Sequence, residues 1–127
     1  MKEVMAFIRL NKVNQTKEAL ATAGFPAFTC RKVLGRGKKK VEFSMVKSAF
    51  EDGIIPETSF GEHLTEGTRL IPKRVFTLIV ESADVEKVVD IFIQTNTTGN
   101  PGDGKIFVLP IMESYQVRSG EAATDSY

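Results

Sequence analysis

The chain has 127 residues, 42% hydrophobic and 26% charged, a size and composition that fit one soluble domain with a modest core. Its 17 basic and 16 acidic residues leave a formal net charge of +1, which excludes the global positive field of most nucleic-acid binders and makes any basic patch local. A single histidine, His63, and a single cysteine, Cys30, exclude histidine-based metal clusters and an intrachain disulfide.

Residues 4–10 are an apolar run with β-branched members and predict a first strand. Its apolar stretch is too short for a signal peptide, no segment of the chain reaches the length of a membrane span, and a cytoplasmic location is expected. Over residues 12–23, Val13, Thr16, Ala19, Leu20 and Ala23 recur at steps of three and four, with Lys17 and Glu18 outward. That spacing predicts an amphipathic helix closed by Gly24. Pro26 blocks its continuation, and residues 27–34 predict a second strand, in which Cys30 is a small buried thiol. Residues 74–80 have the composition of a buried third strand. Ser82 or Asp84 is expected to cap a second helix reaching about Thr95, with Val85, Val88, Val89 and Phe92 on its inner face. Residues 105–112 predict a fourth strand. The order β-α-β-β-α-β defines an α+β, ferredoxin-like domain, a four-stranded antiparallel sheet with both helices on one face. Phe7, Val33, Phe76, Phe107 and their neighbours make the sheet too apolar for both faces to be wet, so association through the uncovered face is expected.

Between strands two and three, residues 35–72 are nearly forty where a few would suffice, and such connections usually carry function. Apolar residues within them, among them Phe43, Met45, Phe50, Ile54 and Phe60, are more numerous than a linker holds and predict a docking loop that orders on a partner. His63 falls here and reads as a solvated loop histidine. The loop begins Gly35-Arg-Gly-Lys-Lys-Lys40, after Arg31 and Lys32, and ends beside Lys73 and Arg74. If it closes on itself, positive charge and glycine backbone collect at one end of the sheet, a site suited to a polyanion together with a small carboxylate.

The stretch Gly99-Asn-Pro-Gly-Asp-Gly104-Lys105 has the glycines and the lysine of a phosphate seat: positive φ lets successive N–H groups converge on one anion, and Lys105 adds a mobile charge. Ile106 stands where a P-loop has its magnesium-binding hydroxyl, and a strand rather than a helix follows. Nucleotide binding without hydrolase machinery is one reading; an ordinary glycine turn is the other. RNA recognition motifs share the element order, but residues 74–80 offer only Phe76 where stacking rings are needed, so no nucleic-acid partner is expected.

Several spaced blocks resemble the PII signal-transduction family, the GlnB-like nitrogen regulators: Val33-Leu-Gly-Arg-Gly37, Leu70-Ile-Pro-Lys73, Thr98-Gly99, Gly102-Asp-Gly-Lys-Ile-Phe-Val108 and Val117-Arg-Ser-Gly-Glu121. The resemblance spans essentially the whole chain. It implies a single domain, 1–127, with a regulatory T-loop at 35–72, a phosphate-binding loop at 98–105 and a C-terminal segment at 114–127. It also implies a non-enzymatic trimer that binds ATP or ADP between subunits, and 2-oxoglutarate beside ATP and Mg. On this resemblance the nucleotide positions are Thr29, Gly35, Arg36, Gly37, Lys38, Ile79, Gly102, Asp103, Gly104, Lys105, Gln116 and Arg118, the last supplied across a subunit boundary. The 2-oxoglutarate positions are Gly37, Lys38, Lys39, Lys40 and Lys73. Lys39 replaces a glutamine that ligates magnesium in the family, and an ammonium cannot ligate a cation. Either ATP, effector and water hold the metal, with no side-chain ligand, or 2-oxoglutarate binding is weakened. Gln116 replaces a second arginine, and the loop has no tyrosine for uridylylation. The long loop, Gly99-Asn-Pro-Gly and Phe107-Val-Leu-Pro110 most resemble the NifI branch, in its longer-looped second subunit type. That branch implies inhibition of nitrogenase when nitrogen is plentiful and assembly with a paralogous PII subunit. The alternative is a GlnK-like regulator of an ammonium transporter, acting without membrane insertion, or of another nitrogen-assimilation enzyme.

Overall fold

The computed structural model of the protein describes residues 1–37 and 70–126. The chain divides into two units, Met1–Val33 with Pro72–Tyr127, and Leu34–Ile71. Strand β1, Lys2–Ile8, leads through a 3-10 turn at Leu10–Lys12 into helix α1, Val13–Thr22. Strands β2, Thr29–Gly35, and β3, Ile71–Val80, follow; then come a 3-10 turn at Ser82–Asp84, helix α2, Val85–Asn96, and strand β4, Lys105–Pro110. A short hairpin, β5 (Ser114–Tyr115) with β6 (Ala122–Ala123), ends the chain. The main sheet has the order β2-β3-β1-β4, with β1 antiparallel to both neighbours, as the ferredoxin-like plan requires.

The boundaries move for local reasons. Strand β1 stops at Ile8, two residues before the expected end, because Arg9 leads directly into the 3-10 turn. Strand β3 begins three residues earlier than expected, and β4 stops at Pro110. Neither Ser82 nor Asp84 caps α2 with its side chain. Asp84 is already helical, at φ −94° and ψ −8°, because the 3-10 turn runs straight into the helix, whereas a capping residue needs extended backbone. The Ser82 hydroxyl instead accepts from the Met1 amino group at 3.3 Å. Helix α1 ends as expected at Gly24, φ +91°, with the Phe25 N–H donating to the Leu20 carbonyl at 2.8 Å.

The core lies between the sheet and the two helices. Val4, Ala6 and Ile8 from β1, Phe76, Leu78 and Val80 from β3, Leu20 from α1, and Val88 and Phe92 from α2 form one buried cluster. Phe76 is its centre, 5.2 Å from the Phe28 ring and 5.9 Å from the Phe92 ring. Thr16 and Asn96 are the buried polar pair where the helices meet: the Asn96 amide donates to the Thr16 hydroxyl at 3.2 Å and to the Phe92 carbonyl at 3.0 Å. Cys30 is partly buried, packed against the cluster.

Strand register places Met5, Phe7, Phe107 and Leu109 on the face away from the helices, with Phe7 and Phe107 edge to face at 6.0 Å. Phe76, grouped with them in the sequence argument, lies instead under the helices. Phe107 remains 44% exposed and Leu109 37%, so the face is apolar and only partly covered by its own chain. Light scattering at micromolar concentration is therefore expected to give a mass above that of the monomer; a stable monomer would count against burial of this face.

Candidate functional site

The glycine stretch forms a compact turn at the end of the sheet where β1 stops. Gly99, Gly102 and Gly104 all have positive φ, +83°, +98° and +115°, and no non-glycine residue among those described does. At Gly104 the constraint is also spatial. A Cβ there would stand 1.8 Å from the carbonyl oxygen of Phe7, so the loop passes directly over the backbone of β1.

Asp103 organises the turn from inside. Its Oδ2 accepts from the backbone N–H of Thr98 at 2.8 Å and of Gly99 at 3.0 Å, and its Oδ1 accepts from the Thr98 hydroxyl. Oδ1 also meets Arg9 Nη2 at 3.3 Å. These bonds, those from Thr98 foremost, hold the carboxyl well below its usual range, at about 2. The sequence placed Asp103 among nucleotide contacts; its carboxylate is committed to the loop itself.

Arg9 is the residue of this candidate site that the sequence argument missed. As the residue after β1 it carried no motif, yet its Nη2 also donates to the Pro101 carbonyl at 2.9 Å and packs close under Gly102. Only the fold could reveal it, since its partners lie more than ninety residues away. From β3, Lys73 donates to the Gly102 carbonyl at 2.7 Å. Burial, then repulsion from Arg9, lowers the Lys73 pKa, with Asp103 acting the other way. Lys105 closes the loop with its ammonium 5.5 Å over the Phe107 ring. Arg9, Lys73 and Lys105 thus all lie at this turn, with Arg9 alone ion-paired to its carboxylate, and the Nε atoms of Arg9 and Arg74 are buried without a partner among the described residues. Such a site favours an anion. Beside it, a groove of about 350 Å³ between α2 and β4 is lined by Phe7, Val89, Phe92, Ile93, Gly104 and Lys105, a volume at the lower end of small-molecule sites.

The structure therefore brings Lys73, Gly102, Asp103, Gly104 and Lys105 together. Ile79 lies opposite Glu3 on β3, six residues from Lys73, or about 20 Å along the strand. Thr29 opens β2. Gln116 and Arg118 sit in the terminal hairpin, where the Gln116 N–H donates to the Glu121 carbonyl at 2.8 Å and its side-chain oxygen accepts from Ser119 at 3.3 Å. Gly35, Arg36 and Gly37 belong to the second unit. Lys38, Lys39 and Lys40 lie outside the described residues, as does most of the 35–72 loop with His63. Among the described residues there is no cluster of His, Cys, Asp and Glu fit to hold a metal, and no helix is long and apolar enough to cross a membrane.

Two helices on one face of a four-stranded antiparallel sheet, with a glycine loop at one sheet end, define the class of ferredoxin-like α+β domains. Within that class, the family model described as nitrogen regulatory protein P-II matches residues 1–121, and the chain belongs to that family. It is 46% identical over 123 residues to the nitrogen fixation nifHD region GlnB-like protein 2 of Methanothermococcus thermolithotrophicus, covering 95% of this chain and 94% of the relative. In Methanothermobacter marburgensis it is similar to two paralogues. Identity is 39% to GlnB-like protein 2, over 99% of both chains, and 37% to GlnB-like protein 1, over 95% of this chain and 97% of the relative.

Proposed function

We propose that this protein is a non-enzymatic nitrogen-regulatory sensor that binds ATP or ADP at the 98–105 loop and 2-oxoglutarate near Lys73, and controls a partner through the 35–72 loop. The observation that carries the proposal is the arrangement of Gly102, Gly104, Lys105 and Lys73 around a turn pre-shaped by Asp103 and Arg9. Nest geometry with an adjacent lysine suits phosphate, and a second ammonium, on β3, suits a carboxylate. Mg would be held by ATP and effector, because Lys39 stands where the family has a magnesium-ligating glutamine and an ammonium cannot ligate a cation. The relatives named for the nitrogen fixation nifHD region support a role in nitrogen fixation; the partner proposed is nitrogenase, inhibited when nitrogen is plentiful. The coexistence of proteins 1 and 2 in one organism supports assembly with a paralogous subunit.

Calorimetry with ATP is expected to show binding, and 2-oxoglutarate to bind more tightly once ATP and Mg are present. Absence of heat at millimolar ATP would overturn the proposal. A pull-down from cells after ammonium addition identifies the partner: nitrogenase is expected, and capture of an ammonium transporter would replace it with the GlnK-like alternative.

A further inference from the structure

The loop is held by two cations in different ways, and the contrast supports an inference that rests on the function proposed above. Arg9 is matched: one nitrogen serves the Pro101 carbonyl and the Asp103 carboxylate together. Lys73 rests on a neutral acceptor, the Gly102 carbonyl, while the carboxylate nearest to it is already ion-paired with Arg9. Of the two cations that hold the loop, it is therefore the one with more to gain from a bound anion.

We propose that Lys73 is a relay: its ammonium takes a small dicarboxylate and, through the Gly102 carbonyl, fixes the peptide plane between Gly102 and Asp103 that forms part of the phosphate seat. The C=O of Gly102 and the N–H of Asp103 belong to one planar trans unit and point in opposite directions. A cation that holds the carbonyl on one side aims the N–H to the other. An ammonium has three donors, so one remains on the carbonyl while the others meet a carboxylate. Gly102, at φ +98° with no side chain, lets this plane turn, whereas the flanks are tied by Arg9 at Pro101 and by the close pass of Gly104 over Phe7. Phosphate and dicarboxylate then affect each other through backbone atoms of a single subunit, independently of any metal shared between them, and by linkage the two effects are equal.

The test uses carbon- and nitrogen-labelled full-length protein with ATP and 2-oxoglutarate as probes. In the wild type, 2-oxoglutarate is expected to move the Gly102 carbonyl carbon and the Asp103 amide nitrogen, while the Pro101 carbonyl carbon, held by Arg9, stays as the internal reference. In Lys73→Met the Gly102 carbonyl signal shifts in the ligand-free protein, and ATP affinity falls about tenfold although Lys73 is assigned to the effector and not to the nucleotide. Lys73→Arg, which keeps a cation, recovers most of that affinity. If the wild type binds both ligands while Lys73→Met keeps the wild-type Gly102 signal and ATP affinity, the relay is overturned and the proposed function stands. If the wild type binds no ATP, the proposed function falls and the relay with it.

Discussion

Gly104→Ala is expected to cost the loop its anion affinity while leaving the sheet folded. The added Cβ would lie 1.8 Å from the Phe7 carbonyl oxygen, far inside any permitted contact, and the φ of +115° is one that alanine rarely adopts. The loop must yield, because Phe7 belongs to the central strand and is paired on both sides, to Val75 and to Lys105. Strain of about 3 kcal/mol corresponds to a loss of roughly a hundredfold in ATP affinity. Calorimetry measures the loss, and far-UV circular dichroism checks the fold, which is expected to survive because the buried cluster draws no residue from the loop. A variant that binds ATP like the wild type would show that the loop is not the phosphate seat.

The second large effect is expected at Asp103. Its two oxygens receive two backbone N–H groups, a hydroxyl and a guanidinium, so Asp103→Asn turns an NH₂ group toward donors in either orientation. ATP affinity at neutral pH is expected to fall at least tenfold. The same contacts fix the sign of the pH dependence. The folded pKa, about 2, lies below the ordinary carboxylate value, so the charged form is favoured by folding; its contribution is complete above about pH 4 and is lost as pH falls toward 2. The amide signals of Thr98 and Gly99 in the ligand-free protein are expected to move through that window, and to be flat there in Asp103→Asn. A wild-type titration at the ordinary carboxylate value would contradict the role given to the turn.

Much of this was legible in the chain because the relevant information is local. Apolar periodicity gave both helices and all four main strands in order, and the spelling Gly102-Asp-Gly-Lys105 gave the turn, since only glycine supplies its backbone. What escaped depends on side chains meeting across the fold. Arg9 has no local signature, Asp103 could equally have faced a ligand or its own loop, and the donation from Lys73 to the Gly102 carbonyl joins two elements that sequence spacing does not relate. Asn96 was missed because an apolar pattern ends before it, whereas its burial is decided by Thr16 on the other helix. The missed cap of α2 shows the same limit in reverse: two suitable residues were present, but the chain entered the helix already turned.

The passage of Gly104 over the Phe7 carbonyl also sets what can be engineered here. Nothing lies within 4 Å of a side chain added at Gly99, whereas at Gly104 a backbone atom that cannot retreat fills the space. A library randomised over positions 99, 104, 105 and 107 and selected for a new anionic ligand should return glycine at 104 whatever that ligand is, with its diversity at 105 and 107. Ligand preference in this scaffold can drift only through the residues that follow the turn.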